Sequence, residues 1–320
     1  MSQPVRWGLL STARINEAIL DGAAQSDRTH VVAVASRDSS RAEEYAREHG
    51  LERAYGSYEA LLEDPDLDVV YVSLPNSLHV EWSIRALEAG KHVLCEKPMD
   101  RRVDAVERAF DTADRAGRLL MEAFMYRHHP QTRKAAELVR AGAIGELRQV
   151  RSLFSFTLAD DADVRMLPEL DGGALMDLGC YCISMQRLLV GEPQLVFGRQ
   201  RTSATGVDAG FVALLEFGGG VFGEFHCGFD LPEGNGLEAI GSTGKLVVAD
   251  PIRCRDPHVE VDGERIDVED VDRYFLQVEN FSAAVRGEAE PLLGRADALG
   301  QVRVIDALYR SAASGAAVSL

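Results

Sequence analysis

Between residues 5 and 124 the chain repeats one pattern: a short apolar run, a turn of small or polar residues, then a stretch with helical spacing. The runs at 5–10, 30–35, 68–74, 92–95 and 119–124 are short and nearly continuously apolar, as expected of strands buried on both faces. The stretches at 14–20, 39–48, 57–63, 80–89 and 103–116 carry helical periodicity. Strands alternating with helices at this pitch leave few topologies open, because parallel neighbours require crossover connections and those crossovers are right-handed. The reading is α/β, with residues 1–124 forming a Rossmann-type doubly wound parallel sheet.

Beyond residue 124 the pattern changes. A helix at 130–141 precedes strand-like runs at 147–157, 195–202, 210–217, 220–229, 237–241, 245–249 and 258–261, many separated by glycine-rich turns. Consecutive strands of this kind predict a large, mostly antiparallel sheet, so residues 125–320 are read as an α+β second domain, closed by helices at 272–286 and 295–313. The 320 residues exceed what one core usually fills, in keeping with two domains.

Charge and cysteine content narrow the function. The 51 acidic against 34 basic residues leave a formal charge of −17, which repels nucleic acid and anionic lipid, so neither is an expected partner. The five cysteines (Cys95, Cys180, Cys182, Cys227, Cys254) are odd in number and include no CxxC pair, arguing against a disulfide framework or a zinc site and for a reducing cytoplasm. The start Met1-Ser2-Gln3-Pro4 has no secretory-leader pattern, and no run approaches the roughly 18 to 20 apolar residues of a membrane span.

In an open α/β sheet, ligands bind beyond the carboxyl ends of the strands. At the first such edge stand Ser11, Thr12, Ala13, Arg14 and Ile15, a small-residue turn running into a helix whose amino end forms an anion site. The GxGxxG fingerprint falls on Ser11-x-Ala13-x-x-Asn16, with all three glycines replaced. At the second edge, Ser36-Arg37 offers the hydroxyl and guanidinium suited to a 2′-phosphate, which favours NADP over NAD. Arg41 is a further contact one turn on, and Asp38 is an acid near enough to neutralise Arg37. The next strand ends at Leu74 and leads into a loop opened by Pro75, both counted with the cofactor contacts, where Asn76 and His79 are placed to meet the nicotinamide half of such a cofactor, although Asn76 has the spacing of a helix cap as well. The run 93–95 then stops at Glu96-Lys97-Pro98, setting Lys97 at the carboxyl edge of its strand. An ordinary solvated lysine is the plain alternative.

The stretch Asp171-Gly172-Gly173-Ala174-Leu175-Met176-Asp177-Leu178-Gly179-Cys180-Tyr181 introduces a helix running to about residue 190. Asp177 and Tyr181 are four apart, on one helical face, and can act on one group. A capping aspartate and a half-buried tyrosine with a backbone partner would produce the same pattern.

Taken together, Pro75-Asn76-x-x-His79, Glu96-Lys97-Pro98, the run 121–130 and Gly172-Gly173-Ala174-Leu175-x-Asp177-x-Gly179-x-Tyr181 resemble the Gfo/Idh/MocA oxidoreductase family over essentially the whole chain. The resemblance is to the branch holding glucose-fructose oxidoreductase, dihydrodiol dehydrogenase and NADP-dependent xylose dehydrogenase, since Tyr181 stands where other branches carry histidine. Deoxysugar 3-ketoreductases share the lysine and tyrosine. It implies that Lys97 and Tyr181 meet beside the nicotinamide, with Tyr181 as acid–base, Lys97 as its electrostatic activator and ribose contact, and Asp177 orienting substrate or Lys97. Leu74 and Glu96 join the cofactor set. Arg127, His129 and Arg165 are candidate substrate or cofactor contacts.

The activity expected is NADP-dependent hydride transfer to or from a sugar or a related polyhydroxylated small molecule, by an aldose dehydrogenase or keto-sugar reductase. A trans-dihydrodiol dehydrogenase is the alternative within the class, and a non-catalytic NADP-sensing regulator the alternative outside it. The open face of the second sheet implies a homodimer or homotetramer. No metal site is expected.

Overall fold

A computed structural model describes residues 3–320. The first sheet consists of β1 (Val5–Leu10), β2 (Thr29–Ala35), β3 (Arg53–Tyr55), β4 (Val69–Val72), β5 (His92–Cys95) and β6 (Leu120–Glu122). Between them run α1 (Asn16–Ala23), α2 (Ser39–His49), α3 (Tyr58–Leu62), α4 (His79–Glu88) and α5 (Val103–Ala116). All pairs are parallel and the order is β3-β2-β1-β4-β5-β6. This is the doubly wound order in which the strand sequence reverses between β1 and β4, creating a crevice at their carboxyl ends. Every residue of β4 is fully buried, which explains why its run is continuously apolar rather than alternating. The three-residue β3 lacks the apolar run that marks its neighbours, so periodicity gives no sign of it.

The second unit contains α6 (Pro130–Arg140), β7 (Leu147–Ser155), α7 (Cys180–Val190), β8 (Pro193–Thr202), β9 (Asp208–Phe217), β10 (Phe222–Gly228), β11 (Gly234–Gly241), β12 (Lys245–Val248), β13 (His258–Val261) and β14 (Glu264–Asp267). The chain ends with α8 (Arg273–Val285), α9 (Arg295–Ser314) and β15 (Val318–Ser319). The nine strands run in the order β14-β13-β12-β11-β7-β10-β9-β8-β15, antiparallel throughout except for the β7–β10 pair. Helix α7 packs on β7 and β10. The other face carries exposed Val212, Leu214 and Phe222, each more than half accessible.

Two compact units divide the chain, one holding the residues through Asp100, 104–125 and 271–299, the other 101–103, 126–270 and 300–320. Helix α8 therefore belongs with the first sheet. Its Ser282 hydroxyl accepts from Trp7 Nε1 at 3.1 Å and lies 2.7 Å from Thr29 Oγ1, while Phe281 meets the Trp7 ring edge-on. Among the described residues, no helix is long and apolar enough to cross a membrane. All five cysteines are buried thiols outside any disulfide.

Candidate active site

The first-unit candidates gather along the carboxyl edge of the parallel sheet. Ser11 takes the first-glycine position with φ of 132°, a backbone region that glycine tolerates more readily. Its hydroxyl lies 3.0 Å from both the carbonyl and the hydroxyl of Ser73, and accepts from the Ala13 amide at 3.1 Å. Asn16, at the third-glycine position, is buried and donates to the Ser11 carbonyl at 2.7 Å. Thr12, Ala13 and Ile15 are half-buried and Arg14 is exposed.

At the end of β2, Ser36 is buried and its hydroxyl accepts from the Asp38 amide at 3.2 Å. Asp38 Oδ1 accepts from the amides of Ser40 (2.9 Å) and Arg41 (3.2 Å), capping α2. That cap accounts for an acid next to Arg37, whose exposed guanidinium lies near the Tyr58 hydroxyl and draws the phenol pKa down against the larger upward effect of burial.

After β4, Leu74 is buried, Pro75 is half-buried, and Asn76 opens a single 3-10 turn. His79 is almost fully buried, its Nε2 2.7 Å from the Leu74 carbonyl and its Nδ1 2.9 Å from the Pro98 carbonyl. Burial holds its pKa below the usual imidazole range. The ring thus sits between the loop after β4 and the loop after β5 and, as a neutral imidazole, donates to one of the two carbonyls. In that second loop the Lys97–Pro98 peptide is cis, Lys97 is half-buried, and its amide donates to Glu96 Oε2 at 3.4 Å. Buried Tyr71 on β4 donates to Glu96 Oε1. Sequence reading missed Tyr274 on α8, whose phenol is pushed up to about 12 by burial and then by Glu96, with Lys97 acting in the opposite direction.

The second unit holds the other candidates. Gly172 passes so close to the Arg165 carbonyl that a Cβ would lie 2.4 Å from its oxygen. Gly173 adopts φ +125°, and a Cβ there would lie 2.2 Å from Asp208 Oδ1. The paired glycines are therefore imposed on both sides. Leu175–Gly179 forms a π turn leading into α7, so the four-residue spacing from Asp177 to Tyr181 crosses a widened turn instead of the ideal α face expected.

Arg165 forks onto Asp163 with two bonds of 2.8 Å and reaches Asp177 at 3.8 Å. Its guanidinium lies 5.5 Å from the Phe156 ring. Tyr181 is 6% exposed, set between Phe154 (ring centroids 5.6 Å apart) and Tyr126 (5.8 Å). The Tyr126 hydroxyl (2.7 Å) and Arg127 Nη1 (3.1 Å) both donate to Ser184 on α7. His129 caps α6, its Nδ1 accepting from the Gln131 amide at 3.1 Å. Arg165 thus reaches Asp177, Tyr181 packs with Phe154 and Tyr126, Arg127 is tied to the next turn of α7, and His129 is turned toward its own helix. Asp163, Phe154 and Phe156 were not singled out from sequence, because nothing local marks them. Among the described residues no group of three metal-ligating side chains converges.

Residues 5–124 match the family model described as oxidoreductase family, NAD-binding Rossmann fold, and residues 132–247 match the GFO/IDH/MocA C-terminal domain. The chain belongs to the Gfo/Idh/MocA family of oxidoreductases. It is similar to D-xylose 1-dehydrogenase (NADP(+)) 2 of Haloferax volcanii, 41% identical with 98% of this chain and 99% of that protein covered. Among solved structures it resembles aldose-aldose oxidoreductase from Caulobacter crescentus complexed with glycerol, with a TM-score of 0.91 at 29% identity over 99% of this chain and 100% of that one. A 3-ketoreductase from Actinomadura kijaniata in complex with NADP and TDP-benzene superposes with a TM-score of 0.90 at 35% identity, covering 96% and 98%.

Proposed function

We propose that this family member is an NADP-dependent oxidoreductase transferring hydride to or from a sugar or related polyhydroxylated small molecule. The observation that carries this reading is the full-length similarity to an enzyme named as an NADP-dependent xylose dehydrogenase. The cofactor choice agrees with Ser36-Arg37 at the end of β2, where the neighbouring acid is spent on capping α2. The cofactor set is Ser11 to Ile15, Ser36, Arg37, Leu74, Pro75, Asn76, Glu96 and Lys97, with His79 acting through the Leu74 and Pro98 carbonyls it holds.

When bound, the nicotinamide supplies the hydride donor or acceptor. Tyr181 removes or returns the proton on the substrate hydroxyl. A phenol of ordinary pKa near 10 needs a cation to act as base at neutral pH, and Lys97 is assigned that role. Asp177 orients the substrate, itself held by Arg165, and Arg127 borders the same helix. Phe154 and Tyr126, both packed against the phenol ring, restrict its rotation. The buried cysteine thiols suit a reducing cytoplasm, and the open face of the second sheet, with Val212, Leu214 and Phe222 exposed, suits a second copy of the chain.

The test offers NADP+ and NAD+ against aldoses and trans-dihydrodiols, and NADPH and NADH against keto-sugars and dicarbonyls, following nicotinamide absorbance. NADP-linked turnover of a sugar supports the reading. Turnover of dihydrodiols alone shifts the substrate class, and tight NADPH binding without turnover across the panel favours a cofactor sensor.

A further inference from the structure

Asp208 opens β9, far in sequence from the site, and is 4% exposed. Its carboxylate stands where the chain enters the helix bearing Asp177 and Tyr181. Oδ2 accepts the Leu175 amide at 2.6 Å, and Oδ1 accepts the Tyr309 hydroxyl of α9 at 3.0 Å. The first amides of a helix have no partner within it. Here one of them is satisfied by a residue 33 positions downstream. The same carboxylate leaves no room for a side chain at Gly173.

A second layer holds the other shoulder of the turn. The Arg101 guanidinium lies 4.5 Å from the Tyr309 ring centroid, and its Nη1 is 3.5 Å from Asp171 Oδ1. Asp171 is itself in a left-handed conformation, φ 52°. The Gly172-Gly173 link is therefore anchored before it at Asp171 and after it at Leu175, through one connected set of Arg101, Tyr309 and Asp208. Burial pushes the Asp208 carboxyl up to about 6, against the opposing pull of the Leu175 amide, Tyr309 and Arg101. An acid kept in so unfavourable a place for the sake of one helix entry indicates that the entry geometry matters.

We infer that Asp208 is a positioning residue for the acid–base site: by accepting the Leu175 amide it fixes the π turn and, through it, the placement of Asp177 and Tyr181. The inference rests on the assignment of those two residues above. Asp208 acts through the backbone and not by touching substrate or cofactor.

The experiment uses full-length Asp208→Ala, Asp208→Asn and Tyr309→Phe with two readouts. Amide hydrogen exchange by mass spectrometry compares peptides spanning 171–185 with those from the rest of the nine-stranded sheet. Steady-state kinetics separates kcat from KM. A lost buried hydrogen bond raises exchange by about 10- to 100-fold, so Asp208→Ala is expected to do this in 171–185 alone. A misplacement of about 1 Å lowers kcat by up to roughly 10²-fold, with KM for NADPH unchanged. Asp208→Asn keeps an oxygen for the Leu175 amide and is expected to restore both readouts to within about threefold of wild type. Tyr309→Phe gives a smaller effect of the same sign.

Asp208→Ala with native exchange and kcat overturns the inference, as does Asp208→Asn behaving like Asp208→Ala. Exchange rising equally across the whole sheet in Asp208→Ala reduces the residue to a general structural role and also overturns it. Should Asp208→Ala fail to fold, Tyr309→Phe must shift the 171–185 peptides selectively or the inference falls. If wild type turns over none of the panel, exchange alone decides the positioning role, and the acid–base reading fails separately.

Discussion

The Ser11 hydroxyl bridges the ends of β1 and β4, 3.0 Å from both the carbonyl and the hydroxyl oxygen of Ser73. These strands flank the point where the sheet order reverses, so the bond ties the two walls of the crevice together. The serine replaces the glycine of the usual fingerprint at the cost of a strained backbone, φ 132°, and in return gains a hydroxyl that a glycine lacks.

Two substitutions separate those effects. Ser11→Ala keeps the strain and loses the bonds, worth about 1 kcal/mol, so Tm falls and NADPH binds more weakly. Ser11→Gly loses the bonds but relieves strain of about 1–3 kcal/mol, partly offset by glycine's greater unfolded-state entropy, and is expected to melt above Ser11→Ala. Differential scanning fluorimetry with and without NADPH orders the three proteins. Ser11→Gly melting below Ser11→Ala would show that the backbone at residue 11 stores no strain that matters, and Ser11→Ala melting with wild type would show that the hydroxyl bridge contributes nothing.

Tyr181→Phe removes the proposed proton carrier while leaving a ring of the same shape against Phe154 and Tyr126. General acid–base catalysis of this kind supplies about 10²- to 10⁴-fold. The expected result is a loss of that order in kcat with an unchanged Kd for NADPH, read by nicotinamide fluorescence titration. A mutant with unimpaired kcat would remove Tyr181 from the mechanism.

Arg37→Ala tests the cofactor choice. Hydrogen bonds to a charged partner contribute about 1.5–3 kcal/mol, so NADPH affinity should fall by roughly 10- to 100-fold while NADH affinity stays constant. Equal losses for both cofactors would mean that Arg37 does not read the 2′-phosphate.

Much of this architecture is legible in sequence because it is local. Each strand of the parallel sheet except β3 announces itself as an apolar run, and α5 and β13 have the boundaries that periodicity predicts. The hairpin joining β13 to β14 turns on Asp262-Gly263, both with positive φ, an Asp-Gly signal that could have revealed β14. Its charged strand, Glu264-Arg265-Ile266-Asp267, has no apolar run because it lies at the sheet edge, where charge protects against further pairing. The site is less legible. Lys97 and Tyr181 stand out through motif context, but the reason for Gly172-Gly173 lies in the Arg165 carbonyl and the Asp208 carboxylate, and the second of these comes from another strand. Asp38 shows the converse: an acid that sequence position sets against Arg37 is oriented by two helix amides. Side-chain direction at a loop is decided by such tertiary or capping partners, which residue spacing does not encode.

Acid sensitivity follows from His128. It is fully buried beside Arg127 and Arg133, neither ring nitrogen has a hydrogen-bond partner among the described residues, and burial first, then the two arginines, pushes its pKa down to about 3. The half-buried His92 accepts the Leu119 amide at Nδ1 (3.0 Å), and that ring is likewise lowered to about 4, chiefly by burial. A histidine depressed in the folded state binds its proton only on unfolding. The stability it contributes is therefore complete above the unfolded pKa of about 6.5 and is lost as pH falls toward the folded value. For His128 alone the loss between pH 8 and pH 5 is on the order of 2 kcal/mol. Tm should accordingly drop over that interval, and His128→Leu should flatten the drop even if its Tm at pH 8 is lower. A His128→Leu profile parallel to wild type would assign the acid limb to other groups.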